Sequence, residues 1–387
     1  MRKIIFLLST SVLVNIYSNI TKAQQIDTVS TWSLSAYVDA YYAYYTDSVG
    51  IGKYQKFPTV SPRSNSIGIN VFQIAAQYDG EKVRAMAVLH FGDIPNSSWS
   101  ATYNAIEEAH AGIKIFKTLW LDAGFFRSHF GTEFLLPKEN LTSSLAVTTY
   151  FEPFYESGFR LNFDPTKRLE INLFGLNGYG LFEDNNNNKS IGMGITYVLN
   201  DNIGIGYTNY IGDDTPRDTL PHLRFSNNLF INCQFKKVKI QVGADYCFQQ
   251  NSDLATMSKT ATMYSGLATV KYQAKPKFAI YARGEIFNDP NSIMAASFKD
   301  QSGNKTGYKL WGLTAGLEFK PSDNSYIRIE GRRLQMDQAQ DIFRYNGQNL
   351  NYRNEIMVNM GLSFDLLKGV QTKKGNTSNV IITPNNN

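Results

Sequence analysis

The sequence predicts an all-β fold, a transmembrane antiparallel β-barrel of about sixteen strands, from three observations. Between Trp32 and Phe364, short segments alternate apolar with polar residues. The links that join these segments alternate between short and long, and an N-terminal export segment precedes them. In a membrane barrel, turns on one side stay short while loops on the other side can grow, so this order of links is expected.

The alternation is clearest in the segment from Trp32 to Tyr44. Apolar and aromatic residues occupy its even positions, whereas Ser, Tyr and Asp occupy the odd positions up to Tyr41. Because neighbouring side chains of a strand point to opposite faces, one face of this segment suits lipid and the other suits water. The better-defined segments contain about ten residues, the length that a tilted strand needs to cross a bilayer. The same pattern recurs at 159–163, 169–173, 238–246 and 355–364.

The links fall into two sets that follow each other in strict order. Compact polar links suit periplasmic turns, and they are found at 79–82, 116–118, 164–167, 200–202, 236–237, 274–277 and 321–324. Long links rich in Asn, Asp, Ser, Gly and Pro suit extracellular loops, and they are found at 46–65, 92–103, 127–153, 178–189, 212–224, 249–259, 288–307 and 335–353.

The N-terminus predicts export. Arg2 and Lys3 precede an apolar run from Ile4 to Val14, which is typical of a secretory signal peptide. This run is too short to span about 30 Å as a helix. The strand pattern then continues without a Pro/Gly/Ser linker, so we expect one closed domain. The predicted organisation is a signal peptide at 1–23, a barrel at 24–364 and a polar C-terminal tail at 365–387.

Composition argues against several other functions. The net charge of +5 comes from basic residues scattered among acidic ones, so no nucleic-acid partner is expected. With a turn at 236–237, Cys233 falls opposite Ile240 and lies roughly 23 Å along the sheet from Cys247, too far for a disulfide. No Ser–His pairing can be selected, so no catalytic residue is assigned and the chain is not expected to be an enzyme. Metal and cofactor sites are not expected either, because the spacing of the histidines fits no metal site: His90, His110, His129 and His222.

The polar strand faces predict a charged lumen. Inward-facing positions carry both signs in comparable number, which could impose a transverse field on a passing solute. An ion pair that stiffens the wall is the alternative for each of these residues, and for most of them it is favoured. The densest run is Arg328, Glu330 and Arg332, which share one face of a strand. The pore-lining candidates are Arg84, Lys114, Glu156, Arg160, Arg283, Glu285, Arg328, Glu330 and Arg332.

The longest internal link, 127–153, is expected to narrow the pore. It contains the apolar stretches 134–136 and 145–147, which a loop in free solution would expose to water. We therefore predict that it folds into the lumen and sets the narrowest point. The constriction candidates are Arg127, His129, Glu133, Lys138 and Glu139.

At this link the sequence resembles a known family. The motifs are LDAGFF at 121–126, FGTE at 130–133, Asn140 with the serines at 143–144, and EPFYESGFR at 152–160. Together with AYVDAYY near the N-terminus, they resemble the putative β-barrel porin, OmpL-like, family of Gram-negative outer membranes. The resemblance implies a diffusion channel. Barrels of this kind commonly end on an aromatic residue, whereas here a polar tail follows Phe364; either Phe364 is an internal assembly signal or a further strand forms around 380–382.

The predicted function is therefore an outer-membrane porin, whose water-filled channel lets small hydrophilic solutes diffuse across the Gram-negative outer membrane. The alternative is an outer-membrane barrel with a closed lumen that acts as a binding protein or hydrolase. The expected partners are outer-membrane lipid, the barrel-assembly machinery and small hydrophilic solutes, and the interpretation allows a homotrimer. A lumen formed by about sixteen strands is wide enough for an aqueous channel.

Overall fold

The structure is a computed structural model that describes residues 27–47, 49–50, 52–215, 220–374 and 377–383. The predicted signal peptide at 1–23 lies outside the described residues. Within the described part of the chain, none of the helices is long and apolar enough to cross a membrane.

Sixteen antiparallel strands form a closed barrel, as the sequence predicts. Each strand pairs with its neighbour in the chain, and the last barrel strand pairs with the first, from Asp27 opposite Lys373 to Tyr45 opposite Glu355. Closure leaves the backbone groups of the barrel strands paired within the sheet, which is the condition for crossing a bilayer with strands. The barrel strands are β1 (Asp27–Tyr45), β2 (Ser66–Gly80), β3 (Val83–Phe91), β4 (Ile106–Phe116), β5 (Leu119–Arg127), β6 (Tyr155–Thr166), β7 (Leu169–Leu176), β8 (Ser190–Asn200), β9 (Ile203–Gly212), β10 (Arg224–Phe235), β11 (Val238–Gln249), β12 (Ala261–Lys275), β13 (Phe278–Asp289), β16 (Tyr308–Phe319), β17 (Ser325–Met336) and β20 (Tyr352–Lys374).

The remaining elements are short and lie in the links or after the barrel. Two small hairpins sit in long loops, and one strand follows β20. These elements are α1 (Asp93–Ser98), a 3₁₀ turn (Pro137–Glu139), α2 (Val147–Phe151), β14 (Phe298–Lys299), β15 (Lys305–Thr306), β18 (Phe343–Tyr345), β19 (Gln348–Leu350) and β21 (Thr377–Thr383).

The links alternate in length around the whole barrel. Those at one end contain two to five residues, as at 81–82 and 320–324, whereas those at the other end contain eleven to 27, as at 213–223 and 128–154. The order of short and long links predicted from the sequence is therefore confirmed. The first long link coincides with the predicted range 46–65.

Burial alternates along the strands with a period of two. In β11, Val242 and Tyr246 point outward and are 45% and 51% exposed, whereas Asp245 between them is 6% exposed. The outward face is an apolar belt that lipid would cover, and the inward face is polar. Both cysteines are free, as predicted, and Cys233 pairs with Ile240 in the sheet. Cys247 points inward as predicted but is 1% exposed, because inward-folded loops cover it.

Strict alternation fails at β4, where a bulge changes the facing of one carboxylate. Val88 pairs with Glu108, but the next residue, Leu89, pairs with Ile106, so Glu107 has no partner across the sheet. Glu107 is fully buried and contacts His90. Alternation from Glu108 would have placed Glu107 in lipid, and a bulge avoids that cost.

The barrel ends later than the sequence suggests. The predicted boundary is Phe364, whereas β20 continues to Lys374 and stays paired with β1 as far as Asp27. The additional strand β21 pairs with the last part of β20, from Lys374 opposite Thr377 to Lys368 opposite Thr383. Beyond Phe364 the segment is short and mixed in polarity, so alternation does not mark it as a strand.

Candidate functional site

The candidate site is the barrel interior around the loop between β5 and β6. This segment, residues 128–154, is called the lumen loop. Its apolar residues Leu135, Leu136 and Leu145 are each 4% exposed or less. They pack with Val71 of β2 and other residues of the barrel interior. The lumen loop thus buries inside the barrel the apolar stretches that water would otherwise meet.

One side of the barrel interior holds the lumen loop with buried charges. This side consists of β10 to β13, β16 and β17 and is called the anchoring wall. Arg283 of β13 donates to the Glu133 carboxylate at 3.0 Å and to the Ser144 carbonyl at 2.7 Å. It also donates to the hydroxyls of Thr142 and Ser144. Such bonds form within a region of low dielectric, so losing one partner would leave a buried charge.

Two carboxylates of the anchoring wall bind backbone amides of the lumen loop. Glu330 accepts the N–H of Ser143 at 2.7 Å and that of Ser144 at 3.0 Å. Glu285 accepts the N–H of Val147, the first residue of α2, at 2.6 Å. These bonds satisfy backbone donors that folding removes from water.

Arg328 of β17 completes this side of the site. Its guanidinium donates to the carbonyls of Pro137, Asn140 and Thr142 at 2.7 to 3.1 Å. Glu318 of β16 accepts from Arg328 at 2.7 Å. The chain from Pro137 to Val147 is therefore held at several points by side chains of the anchoring wall.

The opposite side of the interior contains a cavity of about 270 Å³. It lies between the lumen loop and β1 to β7, here called the cavity wall, and extends toward the short-turn end of the barrel. Its lining combines charged groups of both signs with amides, hydroxyls and a few apolar side chains. The lining residues include Ser33, Ser35, Gln73, Gln77, Asp79, Met86, Glu108, Arg127, His129, Phe134, Lys138, Glu139, Arg160, Asn172, Phe174, Asp365 and Lys368.

The tip of the lumen loop meets the cavity wall through the 3₁₀ turn. Lys138 donates to the amide oxygen of Gln73 at 2.8 Å, and its ammonium group lies 4.3 Å from the centre of the Tyr37 ring. Glu139 pairs with Arg127 at the end of β5. Among the described residues no carboxylate lies within ion-pairing distance of Lys138. Burial lowers the pKa of Lys138.

A network that the sequence analysis did not identify lies behind this contact. Gln73 donates to Glu107 at 2.7 Å, and His90 lies 3.3 Å from the same carboxylate. Arg127 is 3.5 Å from the other oxygen of Glu107. The sequence contained one sign of this network, the adjacent acidic residues Glu107 and Glu108 in one strand. Regular alternation would place one of them in lipid, so the pair indicates an irregularity in the strand.

The roots of the lumen loop also carry polar contacts. His129 lies between the Glu156 carboxylate and the backbone carbonyl of Asn209, at 2.8 Å from each. On β6, Arg160 shares the buried Asp122 with Arg84, at 3.1 Å and 2.5 Å. The cationic groups of Arg84 and Lys114 both make cation–π contacts with the ring of Trp120.

Apart from Arg84, Lys114 and Glu156, the predicted residues fall into two groups. On the cavity side, Arg160 and the constriction candidates Arg127, His129, Lys138 and Glu139 line the cavity. On the other side, the lumen loop covers wall positions that the sequence pattern assigns to an open pore. Alternation shows which face of the strand a residue occupies, but it does not show what packs on that face. These covered residues are Arg283, Glu285, Arg328, Glu330 and Arg332, together with the loop's own Glu133.

In the residues that the structure describes, no group of three or more His, Cys, Asp or Glu side chains is arranged to hold a metal ion. Many polar groups of the interior bind one another or the backbone of the lumen loop.

A closed sixteen-stranded barrel with an apolar outer belt, a polar interior and a long loop folded into it defines the class of outer-membrane porins. The family model described as "Putative beta-barrel porin-2, OmpL-like" matches residues 31–364. The chain belongs to this family, as its motifs suggested, and is a porin of the Gram-negative outer membrane. No curated protein matches the chain.

Solved structures share the fold at low sequence identity. The anion-selective porin from Comamonas acidovorans is 10% identical, with a TM-score of 0.55 over 87% of this chain and 100% of that one. The outer membrane channel DcaP of Acinetobacter baumannii is 10% identical, with a TM-score of 0.55 over 87% and 98%. OmpF of Salmonella typhi is 11% identical, with a TM-score of 0.52 over 86% and 97%. At these identities the likeness shows the fold.

Proposed function

We propose that small hydrophilic solutes diffuse through this porin along the cavity wall, between the lumen loop and β1 to β7. The proposal rests on a structural difference between the two sides of the interior. Buried charges bind the lumen loop to the anchoring wall, whereas a polar cavity of about 270 Å³ lies on the other side. The lumen loop then sets the narrowest point of the path.

Charges of both signs face this path. Lys138 and Arg160 are cationic, whereas Glu108 and Glu139 are anionic, and all four line the cavity. A passing solute would experience a transverse field, which orders polar molecules and sets ion preference. The anchoring residues, by contrast, act on solutes only indirectly, by fixing the position of the lumen loop.

Single-channel recording in planar bilayers tests the proposal. The folded barrel is first identified by its resistance to SDS and its altered migration after boiling, because a closed strand ladder unfolds only on heating. We expect defined conductance steps, and liposomes that contain the protein should swell in small sugars but not in large ones. Heat-modifiable protein that neither conducts nor admits sugars would contradict the proposal.

We also propose that the protein carries no catalytic activity. A Ser–His contact occurs in the outer loops, where His222 Nδ1 lies 3.1 Å from Ser252 Oγ. The Ser252 hydroxyl donates its proton to the Gln250 carbonyl at 2.8 Å, and both side chains are buried, so the hydroxyl is not poised to attack a substrate. Phospholipase and esterase assays should give the same background rate for the folded wild type and for the Ser252→Ala variant.

A homotrimer is a further part of the proposal, and β2 to β5 offer the face for it. Six outward alanines oppose one another there, which would let a second barrel approach closely: Ala76, Ala85, Ala87, Ala109, Ala111 and Ala123. Tryptophan at the opposed pair Ala85 and Ala111 should dissociate the trimer in detergent. The matched pair Ala282 and Ala315 on β13 and β16 provides the control. Equal effects of both double variants, measured by light scattering, would exclude this face.

The barrel-assembly machinery is the remaining expected partner. Either Phe364 within β20 or the terminal strand β21 can supply the signal that it recognises. Removal of residues 375–387 leaves Phe364 in place. Normal membrane insertion of the truncated chain would assign the signal to β20, and loss of insertion would assign it to β21.

A further inference from the structure

The first root of the lumen loop places a histidine between two acceptors. His129 Nδ1 is 2.8 Å from Glu156, and Nε2 is 2.8 Å from the carbonyl oxygen of Asn209. A neutral imidazole has one N–H and one lone pair, so it would direct a lone pair at one of these oxygens. Only the doubly protonated ring can donate to both. The ring is 3% exposed and stacks on Phe174, so water cannot replace either bond.

The second root places a carboxyl group opposite another carboxyl group. Glu152 follows α2, is 5% exposed, and lies against the α-carbon of Gly131 and beside Asp245 of β11. Among the described residues, neither oxygen of Glu152 accepts a hydrogen bond. Asp245, by contrast, accepts from Ser265 and Asn228, each at 2.6 Å. These donors favour the ionised form of Asp245, which leaves Glu152 as the protonated member of the pair.

We propose that protons lock both roots of the lumen loop, so that acidic conditions hold the loop in place and alkaline conditions loosen it. His129 and Glu152 are the two locks. The effect on conduction rests on the proposed channel function, since a looser lumen loop would widen the solute path.

The other charged groups near the two locks agree with this assignment. Glu156 faces His129, and its negative charge favours the imidazolium. Glu133 faces Glu152, but Arg283 and the N–H of Ala146 hold that carboxylate. The hydroxyl of Thr149 lies near Glu152, and the hydroxyl of Tyr179 donates to the carbonyl of Phe151. The cation on this side is Arg224, which lies 4.8 Å from the centre of the Tyr179 ring and donates to the Gln249 amide oxygen and the Ile293 carbonyl.

The direction of the pH effect is the same at both roots. Burial, together with the negative charge of Asp245, raises the pKa of Glu152 well above its usual value. Burial disfavours the charged ring of His129, but Glu156 and the Asn209 carbonyl outweigh it and raise the pKa of His129. A raised folded-state pKa adds stability below the unfolded value, about 4.3 for Glu and about 6.5 for His. Each contribution is lost as the pH rises through the folded-state pKa.

Spectroscopy tests the two protons without any need for conduction. In infrared difference spectra of the folded barrel at about pH 7, wild type minus Glu152→Gln should show the carbonyl band of a protonated carboxyl group. Nitrogen chemical shifts of the His129 ring should report two N–H groups. Absence of the carboxyl band, or a neutral His129 ring at that pH, would overturn the proposal.

Bilayer recording then tests the consequence. Between about pH 6 and about pH 9, mean conductance of the wild type should rise about twofold, as the locked population is lost. Glu152→Gln keeps a neutral side chain of the same shape and should remove most of this rise, and the double variant with His129→Gln should remove the rest. The control is Glu81→Gln in an exposed turn, which should keep the wild-type response.

A wild type whose conductance does not change with pH, or a Glu152→Gln variant with the full response, would overturn the lock. If folded protein conducts at no pH, the channel function fails, and the infrared and nitrogen spectra still decide whether the protons are present.

Discussion

The two sides of the barrel interior bind the same loop in different ways. On the anchoring wall, Arg283 and Arg328 donate to carbonyls of the lumen loop, and Glu285 and Glu330 accept its amides. On the cavity wall, the tip of the loop contacts β2 through the bond from Lys138 to Gln73. Polar residues occur on both walls, so polarity alone does not locate the solute path. We therefore propose the path on the side where the loop leaves the inward side chains uncovered.

Removal of the lumen loop should have the largest effect. Deletion of residues 135–148 keeps β5 and β6 but removes the segment that the anchoring wall binds, so we expect conductance to rise about two- to fivefold and larger sugars to pass. Cys247 packs with Val147 under the loops and should become reactive toward a water-soluble thiol reagent.

The deletion is compared with removal of the largely exposed residues 184–188 from an outer loop, in a Cys233→Ser background. Unchanged conductance and an unreactive Cys247 in heat-modifiable protein would mean that the lumen loop does not set the narrowest point.

Loss of an anchor should cost much more stability than loss of the contact at the tip. Arg283→Met leaves the buried Glu133 without its cationic partner and should lower the free energy of unfolding by about 3 to 5 kcal/mol. Lys138→Met breaks a bond to a neutral amide and should cost about 1 kcal/mol. Unfolding in urea from lipid vesicles measures both. Similar costs would contradict the distinction between the two walls.

Arginine substitutions compare the stability cost of a charge in three places: the lipid-facing side, the anchoring wall under the lumen loop, and the cavity wall. Val242→Arg should cost about 2 to 4 kcal/mol if the residue lies at the bilayer midplane. From the sequence alone, Gln241→Arg should cost little. In the structure, however, Gln241 is 7% exposed and donates to the carbonyl of Thr132, so we now expect a clear cost. Gln77→Arg, on the cavity wall, should be tolerated, and an equal cost for Gln77 and Gln241 would show that the cavity is not open there.

Ion preference should show the smallest effect. Lys138→Gln removes a cation that lines the cavity and should shift the permeability ratio toward cations by about twofold or less. Reversal potentials in a salt gradient measure the shift. Asp213→Asn in an outer loop should leave the ratio unchanged. A larger shift from Asp213 would move the selective region to the outer loops.

Much of the site was accessible from the sequence, but its division into two walls was not. Alternation correctly assigned Arg283, Arg328 and Glu330 to the inward face, because side-chain direction in a strand is fixed by its period of two. Two apolar stretches in a long loop predicted that the loop folds inward. Nothing in the local pattern shows which strands the loop packs against, so the covered and uncovered positions could not be separated.

The sequence by itself determined the barrel, the order of its links and the facing of most strand residues, because these depend on local periodicity and on the contrast between lipid and water. Tertiary structure alone decided the inward bulge at Glu107, the continuation of β20 to Lys374 and the partners of His129 and Glu152. These features depend on contacts between residues far apart in the chain. Their energies come from burial and from partner geometry, and neither is present in a stretch of sequence taken alone.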